Sequence, residues 1–259
     1  MTPHNPWHKP LFAAILAICA AAALPSNADD NAIRQKAERH YSAGEWVNAA
    51  AMYGLLIDAR PQNTGFYARA ITSSAMRDSL RPRIEAEQMT LLHRALGARV
   101  PVDSLIAAVG RESIALGHAQ IYERFLKTAA ACEPWMSRIV DAALLRYYIL
   151  RRNPVATEKY ARAMLTGQPD NSMWLSALAD GQLGEGDLRG AAHTWMEIAA
   201  DTTAAPTPPG RTSPQWQAMV EAALTLRAIG LTDSAATIMH RAYDLHPTPY
   251  LKRLTEGAE

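Results

Sequence analysis

Two stretches near opposite ends of the chain share one punctuation. "GEWVNAAAMYGLLIDARP" runs from Gly44 to Pro61, and "GLTDSAATIMHRAYDLHP" from Gly230 to Pro247. Counted from the glycine, each places alanine five residues on, a bulky residue nine on, a further apolar residue twelve on and proline seventeen on. Offsets of four and seven bring side chains onto one face of a helix. A glycine before such a face permits a left-handed turn out of a preceding helix. A proline after it stops the helix and starts the next connection. The unit is therefore a helical hairpin. One hairpin cannot bury its apolar face alone, so copies stack.

Further copies follow the same frame. Gly186, Leu188, Ala191 and Trp195 match it, with Ile198 in the small slot and Thr203 where proline would stand. A fourth copy aligns Ala156, Tyr160 and Ala163, with Arg151 at the glycine position and Pro169 one residue late. Gly117, Leu126, Ala129 and Pro134 give another, with Tyr122 in the alanine slot. The second copy is the least regular: Met89, His93, Leu96 and Pro101 can be aligned, and "MRDSLRPR" lengthens its internal turn. Cap signals support the starts, since Asn153 precedes Pro154 and Ser213 precedes Pro214. No stretch alternates with period two, so no strand is expected.

This pattern resembles the tetratricopeptide repeat, a 34-residue helix–turn–helix unit. Gly44, Trp46, Ala49, Tyr53 and Pro61 carry the likeness most fully, followed by Gly230, Ala235, Ala242 and Pro247. The resemblance implies an all-α, right-handed solenoid of about six hairpins, near 31–61, 65–101, 102–133, 134–169, 170–203 and 213–247, closed by a capping helix near 248–256. A generic all-α bundle is the competing expectation, because the weaker copies reduce to apolar residues at helical spacing. The domain reading is a signal peptide at 1–28, hairpins one to five at 29–201, a Pro-rich insertion at 202–214, and hairpin six with its cap at 215–259.

That insertion, "TTAAPTPPGRTSP", contains four prolines and extends neither flanking helix. It is expected to be an exposed loop, open to proteolysis at Arg211. It acts either as a plain connection or as a lip or hinge beside the last hairpin.

The N-terminus reads as an address. A polar start ending in Lys9 leads into "LFAAILAICAAAAL", too short for a comfortable bilayer span, and then Ser26 and Ala28 supply the small-x-small pattern of a cleavage site. Cleavage after Ala28 would give an exported, periplasmic or envelope-associated protein. Cys19 offers an alternative as a lipidation site, but the bulky Ile18 precedes it and apolar residues follow. After cleavage only Cys132 remains, so no internal disulfide is expected, and Cys132 is expected to pack as a small apolar residue.

Charge removes the usual reason to propose a nucleic-acid partner. Lys and Arg total 26 against 25 Asp and Glu, and Lys9 is the lone charge before residue 29. The remainder is balanced, with no basic excess. Catalytic signatures are missing as well: no HExxH, no phosphate loop, no CxxC pair and no GxSxG occurs. "GEGD" at 184–187 lacks the Lys-Ser/Thr of a phosphate loop and the acids of a calcium loop. His40, His93, His118, His193, His240 and His246 form no helical pair suited to a metal. No catalytic residue, metal ligand or cofactor is assigned.

The resemblance places a concave surface along the first helix of each hairpin. Its candidate partner-binding residues are Arg34, Glu38, Tyr41, Arg69, Arg138, Asp141, Tyr148, Asp180 and Arg227. The Lys/Asn clamp with which some family members hold a C-terminal carboxylate has no match at these positions. The expectation is a non-enzymatic scaffold that binds a peptide or protein partner there. The alternative is a structural subunit of an envelope assembly, anchored through Cys19.

Overall fold

A computed structural model describes residues 27–77, 80–200 and 212–256; the expected signal peptide up to Ser26, with Cys19, and the insertion up to Arg211, lie outside them. The described residues form thirteen α-helices and no strand. They are α1 (Asn27–Ser42), α2 (Trp46–Ala59), α3 (Thr64–Met76), α4 (Arg81–Gly97), α5 (Val102–Ala115), α6 (Ala119–Cys132), α7 (Ser137–Leu150), α8 (Pro154–Leu165), α9 (Ser172–Glu185), α10 (Leu188–Ala200), α11 (Pro214–Ala228), α12 (Thr232–Leu245) and α13 (Pro249–Glu256). A 3₁₀ turn, Pro134–Met136, leads into α7. The expected all-α fold is met, with odd-numbered helices opening each hairpin, even-numbered ones closing it, and α13 last.

The turns repeat one hydrogen-bond pattern. Gly44, Gly117, Gly186 and Gly230 have φ between 73° and 83°, the left-handed region that glycine enters without a Cβ penalty. At each, the next N–H reaches back to a carbonyl of the last helical turn: Glu45 to His40 at 2.9 Å, His118 to Ser113 at 2.9 Å, Asp187 to Gln182 at 2.9 Å and Leu231 to Leu226 at 3.0 Å. This is the Schellman closure. The fourth hairpin makes it with Arg152 at φ 51°, where Asn153 N–H reaches Tyr148 O at 3.1 Å. Arg99, at φ 61°, does the same after α4.

That observation moves two frames. With the left-handed residue at Arg152 rather than Arg151, the offsets of five, nine and twelve fall on Thr157, Ala161 and Met164, all buried. Pro169 then stands in register. Ala156 and Tyr160 are half-buried and Ala163 is exposed, one residue off the packed row. In α4 the shift is the other way: Met89 is buried as aligned, but His93 is exposed and Leu96 half-buried, while Gln88, Leu92 and Ala95 are buried. Its Gln88 amide is satisfied by Ile71 O at 3.2 Å. Elsewhere the closing helices bury Ala49, Tyr53 and Leu56; Tyr122, Leu126 and Ala129; Ala191, Trp195 and Ile198; and Ala235, Met239 and Ala242. Trp46 is half-buried over the first turn. Cys132 is exposed, contrary to the packing expected of it, because α6 ends there and only Ala129 of its last turn is buried.

Caps fix where the helices start. Asn153 Oδ1 accepts from Ala156 N at 3.1 Å, and Ser213 Oγ from Trp216 N at 3.0 Å. Asn63 caps α3 through Phe66 N, and Asn171 caps α9 through Met173 and Trp174 N. Each supplies an acceptor to backbone donors that have no partner within the helix.

The described chain divides into two compact units, up to Phe125 and from Leu126 onward, with the division inside α6. In the first, α1 packs on α2, α2 on α3, and α3 on both α4 and α5. Its fully buried side chains include Tyr53, Ile57, Tyr67, Ile71, Leu92, Leu105 and Phe125. In the second, consecutive helices from α7 through α13 pack on one another. Its core clusters obey one rule: each joins a hairpin to the first helix of the next. Leu145, Ala161 and Met164 meet Trp174, Ala177 and Leu178. Leu175, Ala179, Trp195 and Ile198 meet Ala218 and Ala222. Met219, Val220, Ala223, Ile238, Met239 and Ala242 meet Leu251 of α13, which takes the place of a further hairpin. At about 25 cal/mol per Å² of apolar surface, these shared clusters rather than helix propensity hold the array together.

Candidate functional site

In the first unit the candidate residues converge on Arg69. It lies on α3, between Glu38 of α1 and Glu112 of α5. Its Nε donates to Glu112 Oε1 at 3.3 Å, and its Nη1 donates to Glu38 and to Tyr53 Oη, the latter at 3.1 Å. The guanidinium sits 5.4 Å from the Tyr41 ring centre and 5.9 Å from that of Tyr53. Tyr41 in turn donates to Glu112 Oε2 at 3.2 Å and pairs with buried Thr72 at 3.0 Å. Burial pushes the Tyr53 phenol up to about 12, opposed by the Arg69 hydrogen bond and charge. Burial raises Tyr41 further still. Three opening helices thus share one internally satisfied polar network. Arg34 stands outside it, exposed on α1.

In the second unit, α7 contributes Arg138, Asp141 and Tyr148. Arg138 is exposed and lays its guanidinium against Gly167, where an added Cβ would come within 3.0 Å. Burial raises the Asp141 carboxyl, opposed by the Lys159 charge. Tyr148 is buried, stacks on Tyr160 with centroids 5.5 Å apart, and meets Tyr147 edge-on at 5.1 Å. Lys127 Nζ lies 5.9 Å from its centroid. Tyr148 is therefore a packed ring inside an aromatic–cation cluster.

Asp180 on α9 and Glu221 on α11 belong to an open cleft of about 600 Å³, whose wall also includes Trp195, Trp216, Gln217 and Tyr250. Asp180 is raised first by desolvation and then by the Glu221 charge. The Trp216 ring is locked: its Nε1 donates to Ala242 O at 2.9 Å, and His246 meets it edge-on at 5.6 Å. Tyr250 is half exposed. Arg227 is exposed beside a smaller cavity of about 230 Å³ lined by Ala223, Thr232, Met239 and Leu254. Among the described residues no group of His, Cys, Asp and Glu is arranged to hold a metal ion.

The structure thus joins Glu38, Tyr41 and Arg69 in one network and keeps Arg138, Asp141 and Tyr148 on a single helix. It places Asp180 with residues that the sequence left unassigned. Glu112 and Glu221 were missed because what marks each of them, Arg69 beside one and Asp180 beside the other, stands on a different helix. Trp216 lies just inside the helix that Ser213 and Pro214 start, and Tyr250 lies in the last helix, and neither carries a repeat signature of its own.

Solved structures of helical-repeat proteins resemble the fold. PilW, described as a widely conserved type IV pilus biogenesis factor, matches with TM-score 0.47 and 13% identity over 87% of this chain and 97% of its own. A tetratricopeptide repeat protein from Parabacteroides merdae matches with TM-score 0.38 and 12% identity over 95% and 89%. The tetratricopeptide domain of P58(IPK) matches with TM-score 0.42 and 10% identity over 89% and 64%. The chain is similar to tetratricopeptide-repeat proteins. No family model matches the sequence, and no curated protein matches it.

Proposed function

We propose that the protein is a non-enzymatic scaffold that binds a peptide or protein segment against the opening helices of its hairpins. The observation that carries this reading is the cleft around Asp180 and Glu221. It is open, Trp216 in its wall is held by Ala242 O, and it offers carboxylates, an amide and aromatic rings within one concavity. A preformed surface of that kind leaves the ordering cost on the ligand. The leader-like N-terminus supports action in the periplasm or envelope, with a mature terminus at Asp29 and lipidation at Cys19 as the alternative route there.

A photo-crosslinking residue in place of Gln217 tests the binding reading in envelope extract. The expected result is a discrete adduct that maps to one segment of one partner. Adducts that appear equally from exposed α8 and α10 positions, or none at all, would reject the cleft as the binding surface. N-terminal sequencing of the envelope form settles export, and retention of Met1 in a cytosolic form defeats it.

A further inference from the structure

We propose that the turn between α7 and α8 is a membrane-contact tip that docks on an anionic phospholipid surface. Such a contact does not depend on peptide binding in the cleft.

The tip carries apolar side chains where a solvated turn would carry polar ones. Ile149 and Leu150 end α7, and Val155 lies in the first turn of α8. They are 43%, 77% and 64% exposed. One such residue on a surface is ordinary, whereas three at one turn form a patch. Three arginines, Arg146, Arg151 and Arg152, are exposed around it. Arg146 stands three and four residues before Ile149 and Leu150, on the same helix face. None of the three arginines makes an ion pair or side-chain hydrogen bond among the described residues. Glu158, the acid of α8, accepts from Arg162 at 2.9 and 2.6 Å. Asp180 shares a concavity of about 260 Å³ with Ile149 and Arg152. Counting Asp180, the tip still carries more positive charge than negative.

Arg152 is held in place against backbone preference. At φ 51° it takes the left-handed position that Gly44, Gly117, Gly186 and Gly230 occupy at other turns. A Cβ is disfavoured there, so glycine would close this turn more easily.

These features match the boundary of an anionic bilayer. Guanidinium groups pair bidentately with phosphate oxygens while their stems lie along apolar surface. Aliphatic side chains enter the boundary between headgroups and acyl chains. Each basic residue near a negatively charged leaflet adds attraction that fades within a Debye length. A projecting turn needs no shape-matched partner in a fluid bilayer, whereas a protein partner would have to supply a fitted recess.

Vesicle flotation of the chain from Asp29, which lacks Cys19, tests the contact. Vesicles of pure phosphatidylcholine are compared with equimolar phosphatidylcholine and phosphatidylglycerol. The expected result is binding to the anionic vesicles alone, declining as salt is raised. R146Q/R151Q/R152Q should weaken it at least about tenfold, and L150S/V155S should weaken it too, with far-UV circular dichroism unchanged. An environment-sensitive fluorophore on L150C, in a C132S background, should shift to the blue with anionic vesicles, and one on A163C should not. No binding to the anionic vesicles, equal binding to both kinds, or binding that survives R146Q/R151Q/R152Q would each overturn the proposal. Equal blue shifts at the two labelled positions would overturn it as well. A probe response to soluble polyglutamate and none to vesicles would assign the tip to an acidic protein and reject the membrane contact.

Discussion

Arg69 donates through Nε to Glu112 at 3.3 Å, joining the opening helix of the second hairpin to that of the third. The same guanidinium holds Glu38 on the first. Both Arg69 and Glu112 keep roughly a quarter of their side chains exposed, so neither charge is fully desolvated. Their attraction therefore operates at an intermediate dielectric, where a lost partner matters more than the pair's net strength.

Arg69→Met should lower stability by about 1–3 kcal/mol, because Glu38 and Glu112 then face each other without a cation. Arg69→Met with Glu112→Gln should recover part of that loss. Urea unfolding of both variants and of Glu112→Gln closes the cycle. Strict additivity would show that Arg69 and Glu112 are not coupled in the fold.

The left-handed residues give a pair of opposite signs. Arg152 has φ 51° and Gly186 has φ 83° at equivalent turns. Arg152→Gly should raise stability by up to about 1 kcal/mol by relieving the Cβ, while Gly186→Ala should lower it by about 1 kcal/mol. Thermal melts of the two single variants decide it, and shifts of equal sign would mean that the turns are not equivalent.

The packing row of α8 can be tested one residue at a time. Ala161 is fully buried, whereas Ala163 is exposed. Ala161→Leu, like Ala49→Leu in the first hairpin, should overpack the core at a cost of about 1–3 kcal/mol. Ala163→Leu should stay within about 0.5 kcal/mol of the parent. A larger loss from Ala163→Leu would restore the frame that starts at Arg151.

Alkaline unfolding should report on Tyr53. Its folded value is pushed up to about 12 by burial, against an ordinary phenol value of 10.0. The folded state thus holds this proton more tightly than the unfolded chain. The stability contribution is fully present below about pH 10 and is lost as pH rises through about 12. The melting temperature of the parent should fall across that window, and that of Tyr53→Phe should fall less. Parallel curves would show that Tyr53 carries no linkage.

By itself the sequence determined the unit and its number. Glycine, alanine, a bulky residue and proline at fixed offsets leave few solutions besides a stacked hairpin. The turns at Gly44, Gly117, Gly186 and Gly230 are local events that four or five residues decide. Register in the fourth and second hairpins was not legible, because arginine at Arg152 can enter left-handed space only when the surrounding helices hold it there, and Gln88 can be buried only because Ile71 O accepts from it. The polar groupings belong wholly to tertiary structure. Glu38, Arg69 and Glu112 are separated by 31 and 43 residues and meet because three opening helices run side by side. Asp180, Trp195 and Glu221 share a wall only once α9, α10 and α11 pack together. Offsets within one helix fix which face a side chain is on. Which charges oppose one another depends on how far successive hairpins are rotated and slid, and that is set by packing volumes such as Trp195 against Ala218 and Ala222, spread across three helices.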